Sequence, residues 1–364
     1  MKVVIATPLY PPEIGGPATY AQILEEGLPA RGIEVAVVPF ARVRHLPKLV
    51  RHVAYFWQVY KAAKGASAVL ALDPVSVGLP SAKAAWLRGL PFVVKVVGDY
   101  AWEQGRQRFG VTEDLDAFVR NEHVPFPVFV LRTIEKAVAL FADRVLVPSY
   151  YLKSIMRAWG VRGSRIDVIP NAVPVGKPGT VPESIRSLER PLIVTAGRLV
   201  PWKHIDGVID AVGTLRKTHA SARLAIVGDG PDRAELEKRA EKHGIMCEFT
   251  GQLSHADTLA VIKAADIFVL NSSYEGFSHL LVEALSLGAA VIATDAGGND
   301  EIIEDGKNGM LVPVGDGSAL VAAMEMVLND PSLAQKVRAQ AKASVLQYSP
   351  DAMLAATASF LSSL

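Results

Sequence analysis

The chain has 364 residues, half of them hydrophobic and 21% charged, with a formal net charge of +1. That length suits two domains better than one core, the composition excludes a disordered chain, and the near-neutral balance gives no global reason to expect nucleic acid. A single cysteine, Cys247, excludes a disulfide framework within the chain and a multi-cysteine metal site, and suits a reducing intracellular compartment.

The N-terminal "MKVVIATPLYPP" has one lysine and few apolar residues before its prolines, so it does not read as a secretory signal. Residues 2–7 (KVVIAT), 34–38 (EVAVV), 68–72 (AVLAL), 91–97 (PFVVKVV), 144–148 (RVLVP) and 166–170 (IDVIP) read as buried strands, most of them separated by segments of helical spacing. Within this half, 41–64 is basic and aromatic, with Arg42, Arg44, Lys48, Arg51, Lys61 and Lys64 among Phe56, Trp57 and Tyr60. Such a segment either lies on an anionic membrane surface or packs its apolar stripe into the core and solvates its basic face. The second reading is preferred, because the stripe should be needed for packing. The stretch 170–191 carries five prolines and reads as a linker without regular structure.

The second half repeats the plan. Residues 192–197 (LIVTAG), 223–228 (RLAIVG), 246–251 (MCEFTG), 267–271 (IFVLN), 289–294 (AAVIAT) and 309–313 (GMLVP) read as strands, and helices are expected near 331–346 and 350–362. No apolar run reaches the roughly 18–20 residues of a membrane span; the longest, 277–294, is interrupted by Glu283. Continuous apolar strands alternating with helices imply parallel sheets covered on both faces. The expected fold is α/β, with two doubly wound Rossmann-like domains facing across a cleft. The expected boundaries are 1–174 for the first domain, 175–190 for the linker and 191–346 for the second.

Ligands of open parallel sheets bind beyond the strands' carboxyl ends. At these ends the first half places Gly15 and Gly16 before Pro17, a strand-to-helix turn or a close approach for a phosphate. The spacing is not the G-x-G-x-x-G dinucleotide fingerprint. Asp99 follows the fourth strand beside Tyr100 and Trp102, and is either a sugar-binding carboxylate facing the cleft or a helix cap. In the second half Arg198 and Lys203 in "GRLVPWKH" suit a diphosphate, or are solvated cations. Gly228 in "VGDGP" lies in a tight turn or a backbone wall for a nucleotide. In "NSSYEGFSHLLVEALSLG", Ser278 is placed to cap a helix ending near Gly288, with Glu275 before it and Glu283 just over a turn inside. An anion is favoured at that N-terminus, whereas carboxylates accept hydroxyls, so the pattern fits a phosphate flanked by sugars. Surface acids would give the same spelling.

These residues together resemble the retaining glycosyltransferases of family 4, which have the GT-B architecture, along nearly the whole chain. The resemblance rests on Gly15–Gly16, on Arg198 and Lys203, on "VGDGP", on Glu275 and Glu283 with seven residues between them, and on "GGNDEII". It implies that Glu283 binds the donor ribose and Glu275 the transferred sugar. Arg198 and Lys203 would neutralise the leaving diphosphate, which Gly15 and Gly16 would approach from the other domain. The backbone of Phe277, Ser278, His279 and Leu280 would meet diphosphate and sugar, and Leu253 would lie near the base. A last helix, about 347–364, would pack back on the first domain. The chain departs from relatives in carrying Gly98 where histidine is frequent and His204 where glycine is common.

The resemblance implies transfer of a hexose-type sugar from a UDP- or GDP-sugar to a glycan or lipid-linked acceptor, with no metal or other cofactor and with Asp99 as a further catalytic candidate. The expected setting is cytoplasmic, in surface polysaccharide or glycolipid synthesis, with peripheral contact to the inner face of the membrane through 41–64 as an open alternative. A sugar-nucleotide epimerase of the same architecture and a non-catalytic sugar-nucleotide-binding protein are the rival readings.

Overall fold

A computed structural model describes residues 1–13, 15–121, 123–174 and 176–364. The chain divides into one unit of Met1–Ala172 with Pro350–Leu364 and a second of Val173–Ser349.

The first unit runs β1 (Lys2–Thr7), α1 (Gly16–Gly27), β2 (Glu34–Pro39), α2 (Lys48–Ala62), β3 (Ala68–Ala71), α3 (Leu79–Arg88), β4 (Phe92–Lys95), α4 (Tyr100–Arg108), α5 (Leu115–Arg120), α6 (Phe126–Phe141), β5 (Arg144–Val147), α7 (Tyr150–Ala158) and β6 (Ile166–Val168). Its six strands are parallel in the order β2-β1-β3-β4-β5-β6. Connections to the right of β1 and the one to its left cross on opposite faces, because parallel crossovers are right-handed.

The second unit runs α8 (Glu183–Arg186), β7 (Leu192–Ala196), α9 (Ile205–Leu215), β8 (Arg223–Val227), α10 (Arg233–Lys242), β9 (Cys247–Gly251), α11 (His255–Ala264), β10 (Ile267–Leu270), α12 (His279–Ser286), β11 (Val291–Thr294), β12 (Met310–Val312), α13 (Gly317–Asn329) and α14 (Pro331–Ser344). Its parallel order is β12-β11-β10-β7-β8-β9. Alternate residues of each strand serve opposite cores: Val194, Phe268 and Leu270 pack with α11 and α12, whereas Ile193, Ile267 and Val269 pack with α9 and α13. Burial on both faces is why these strands read as unbroken apolar runs.

Two expectations change. The proline-rich stretch is not wholly irregular: between Pro182 and Pro191 the chain forms α8, with Pro182 at its cap, and Ile185 and Val173 enter the second core. Proline breaks a helix from within but is tolerated at its start. Residue 175, the first of the expected linker, lies outside the described residues. The last helix, α15, is Pro350–Ser362, as its expected span near 350–362 has it, but the segment returning to the first unit starts there and not at about 347: residues 346–348 form a 3-10 turn whose Tyr348 packs in the second unit. α15 rests on α1 in the first unit, burying Met353, Leu354, Phe360 and Leu361 against Leu24 and Leu28. A Cβ on Gly27 would lie 2.2 Å from Leu354 Cδ1, so glycine there permits the close approach.

Candidate functional site

The order of the second sheet reverses between β7 and β10, and this is where an open parallel sheet leaves a crevice for a ligand. The loop after β7 carries Arg198 and Lys203; the loop after β10 carries Glu275. They are stitched together. The Ser273 amide donates to Trp202 O at 2.8 Å, and Asn271 Nδ2 donates to His204 O at 2.9 Å. Lys203 Nζ lies 2.5 Å from Glu275 Oε1, which also accepts from the buried Ser272 hydroxyl at 2.7 Å. The ammonium and carboxylate are both largely screened from water, so their attraction is stronger than that of a surface pair. Arg198 remains exposed, its guanidinium 5.7 Å from the Trp202 ring centre, and Trp202 is buried as a packing residue.

A third loop completes the wall. The Gly298 amide donates to Glu275 O at 2.9 Å, and Gly297 has φ 60°. A Cβ on Gly297 would meet Glu275 O at 2.0 Å, so the Gly-Gly pair of "DAGGN" is there for close backbone contact. Gly228 has a similar cause: a Cβ there would sit 1.9 Å from Gly197 O, and Leu199 donates its amide to Asp229 O at 3.0 Å. The "VGDGP" turn therefore supports the Arg198 loop.

Ser278 caps α12, its Oγ accepting from the Leu281 amide at 3.3 Å. The positive end of that helix lies between Glu275 and Glu283 in the chain. Glu283 is 13% exposed, and its Oε1 lies 2.7 Å from His255 Nε2 at the start of α11. Burial pushes the Glu283 carboxyl up, while the hydrogen bond and charge of His255 pull it back. The His255 contact was not anticipated; no local pattern marks a residue 28 positions away. Ser272 was not singled out either, although "NSSYEG" places its hydroxyl three residues before the Glu275 carboxylate it donates to.

The other expected residues surround these. Phe277 is half-buried, its ring 5.3 Å from Tyr348 and 5.7 Å from His279. Leu253 and Leu280 pack partly buried on the same core.

In the first unit Gly15 ends the β1 loop with φ 154° and precedes exposed Gly16, whose Cβ would meet nothing within 4 Å. Asp99 takes the capping role. It is 0% exposed, and one carboxylate oxygen accepts from the Trp102 amide at 2.8 Å. Glu135 of α6, equally buried, accepts from the Tyr100 and Ala101 amides at 2.9 and 3.0 Å. Burial pushes Asp99 up to about 6, and burial with the Asp99 charge pushes Glu135 well above the carboxylate range. Asp99 is thus a buried helix cap rather than a group presented to solvent at a strand's end.

Comparison with known proteins places this geometry. Residues 2–172 match the family described as glycosyl transferase 4-like domain, and residues 181–344 match glycosyl transferases group 1. The chain is similar to the glycogen synthase of Mycobacterium tuberculosis (34% identical over 168 residues, 46% of this chain and 40% of that protein). It is also similar to that organism's GDP-mannose-dependent alpha-mannosyltransferase (28% over 207 residues, 56% and 52%). The chain thus spans about half, or less, of the length of these curated relatives. Its fold matches the crystal structure of Anabaena HepE in complex with UDP over 100% of both chains, with a TM-score of 0.77 at 21% identity. The architecture is GT-B.

Proposed function

Because the chain joins a glycosyltransferase 4-like domain to a group 1 glycosyltransferase domain, we propose that it is a retaining glycosyltransferase. It moves a hexose-type sugar from a UDP- or GDP-sugar to a glycan or lipid-linked acceptor, in building a surface polysaccharide or glycolipid. The observation that carries this reading is the Lys203–Glu275 pair where the second sheet changes direction, with Arg198 on the same loop.

The chemistry follows from charge. As the bond between the anomeric carbon and the diphosphate oxygen breaks, negative charge grows on the departing nucleoside diphosphate. Arg198, Lys203 and the N-terminus of α12 supply fixed positive charge for it. Glu275 accepts hydroxyls of the transferred sugar, and Glu283 accepts the ribose hydroxyls in place of His255. The acceptor oxygen enters on the face the diphosphate leaves, and its proton passes to the donor phosphate. Configuration is thereby retained without a protein nucleophile. The relatives' printed donors and ligands, GDP-mannose and UDP, support a nucleoside diphosphate and are compatible with either base.

A thermal-shift series with UDP, GDP and their sugars tests the reading, together with release of nucleoside diphosphate in the presence of acceptor. The Glu283→Ala variant should lose the shift given by the cognate nucleotide; a full shift in that variant would overturn the assignment. Conversion of the donor to its epimer without acceptor would favour an epimerase, and binding with no turnover under any acceptor a binding protein.

A further inference from the structure

Helices α2, α3 and α6 lie side by side in the first unit, on the face to which the connections β2–β3, β3–β4 and β4–β5 cross. A helix layer facing water normally shows it a charged and polar surface. This one does not. Leu49 is 84% exposed and Trp57 52% on α2, Trp86 65% on α3, and Phe126 77% on α6, with Val53, Leu79, Phe129 and Phe141 exposed among them. Among the described residues, more than half of the large apolar side chains that stand exposed belong to these helices of 15, 10 and 16 residues. The expected packing of the 41–64 stripe is only partly realised: α2 fully buries Tyr55 and Val59 and leaves Leu49, Val50, Val53 and Trp57 outside.

The charge of the layer has one sign. α2 carries Lys48, Arg51 and Lys61 and α3 carries Lys83 and Arg88, with no acid on either; the only acid of α6, Glu135, is wholly buried and accepts from the Tyr100 and Ala101 amides of α4. Cations lie over aromatic rings of the same face, Arg88 3.7 Å from the Tyr60 ring centre and Lys83 6.0 Å from that of Phe56, so their stems run along apolar surface. Between α3 and α6 is a groove of about 420 Å³ lined by Leu79, Ala82, Trp86, Ala137 and Phe141, with Lys83 its one charged lining residue.

We propose that this face docks on an anionic lipid bilayer, with the exposed aromatic and aliphatic side chains entering the headgroup–acyl boundary and the groove between α3 and α6 receiving an acyl chain. A nucleic acid would satisfy the cations but leave Leu49, Val50 and Val53 against phosphate. A bilayer satisfies both halves of the surface: apolar groups leave water and lysines and arginines meet anionic headgroups. Tryptophan rings favour that boundary. No described helix is long and apolar enough to cross a membrane, so the contact is at the surface. The proposal does not rest on the identity of the donor or on catalysis.

Co-sedimentation of the full chain with phosphatidylcholine vesicles, with and without phosphatidylglycerol, tests it. Binding is expected to the anionic vesicles alone and to weaken as salt rises. The pairs Trp57→Ser with Trp86→Ser, and Lys48→Glu with Lys83→Glu, should each lower partitioning about tenfold or more while circular dichroism and melting stay unchanged. Lys238→Glu, in the second unit, should leave partitioning unchanged. Should either pair misfold, quenching of wild-type tryptophan fluorescence by brominated acyl chains reads the same face. Absence of wild-type binding to anionic vesicles, or equal binding by both folded pairs, would overturn the proposal. Capture of nucleic acid or an acidic protein without vesicle binding would overturn it too.

Discussion

His204 shows how a single residue records the site's construction. It is the only described non-glycine residue with positive φ, 44°, and it joins the Lys203 turn to α9. There its carbonyl accepts from Asn271, which ties the β7 loop to the β10 loop. A side chain in the left-handed region costs about 1 kcal/mol relative to glycine. His204→Gly should therefore raise the urea midpoint, by about 1 kcal/mol of stability at most; a lower midpoint would mean that the ring itself makes a needed contact. His255 bears on affinity instead. If the donor ribose takes the place of His255 on Glu283, as proposed above, His255→Ala should tighten UDP or GDP binding by about fivefold in calorimetric titration. Weaker binding would show that His255 holds the nucleotide rather than competing with it.

At the scale of elements, all twelve strands were legible because most are apolar runs closed by glycine, proline or a polar residue; the structure shifts their ends by no more than two residues, trimming most and extending β2 to Pro39. The cap at Ser278 was legible for the same local reason. What could not be read were pairings made by packing. The burial of Asp99 depends on Glu135 of α6, 36 positions further on, and nothing in "VVGDYAW" announces a second carboxylate. That pair has a measurable consequence. Both carboxyls are raised in the folded chain, which therefore keeps protons that the unfolded chain releases near pH 4. Their contribution to stability is complete below the unfolded values and is lost as pH rises through about 6 and beyond. Asp99→Asn keeps a capping oxygen and removes one charge. Its melting temperature should match wild type near pH 4 and exceed it near pH 8, by the equivalent of about 2 kcal/mol; equal melting at both pH values would count against the buried pair.

Across the whole molecule, the two-domain plan followed from the repetition of strand runs, and the return of the last helix was implied by family resemblance. Which surface α15 covers was not legible, because its apolar residues become intelligible only beside Gly27 and Leu24. Removal of Pro350–Leu364 should uncover that core. Limited proteolysis should then cleave Met1–Ala172 readily while Val173–Ser349 stays protected and keeps its nucleotide-induced thermal shift. Equal resistance of both segments would show that α15 is dispensable.

The membership of α15 in the first unit also orders the events of synthesis. A domain normally folds as it leaves the ribosome, N-terminal parts first. Here the apolar face of α1, with Ala21, Leu24 and Leu28, is made early, but the helix that covers it is made only after all of Val173–Ser349. The second unit can close its two cores while the first still waits, with a strip of exposed hydrophobic surface, for residues on the far side of its neighbour in the chain. Of the two units, the one translated earlier is then the later to be finished.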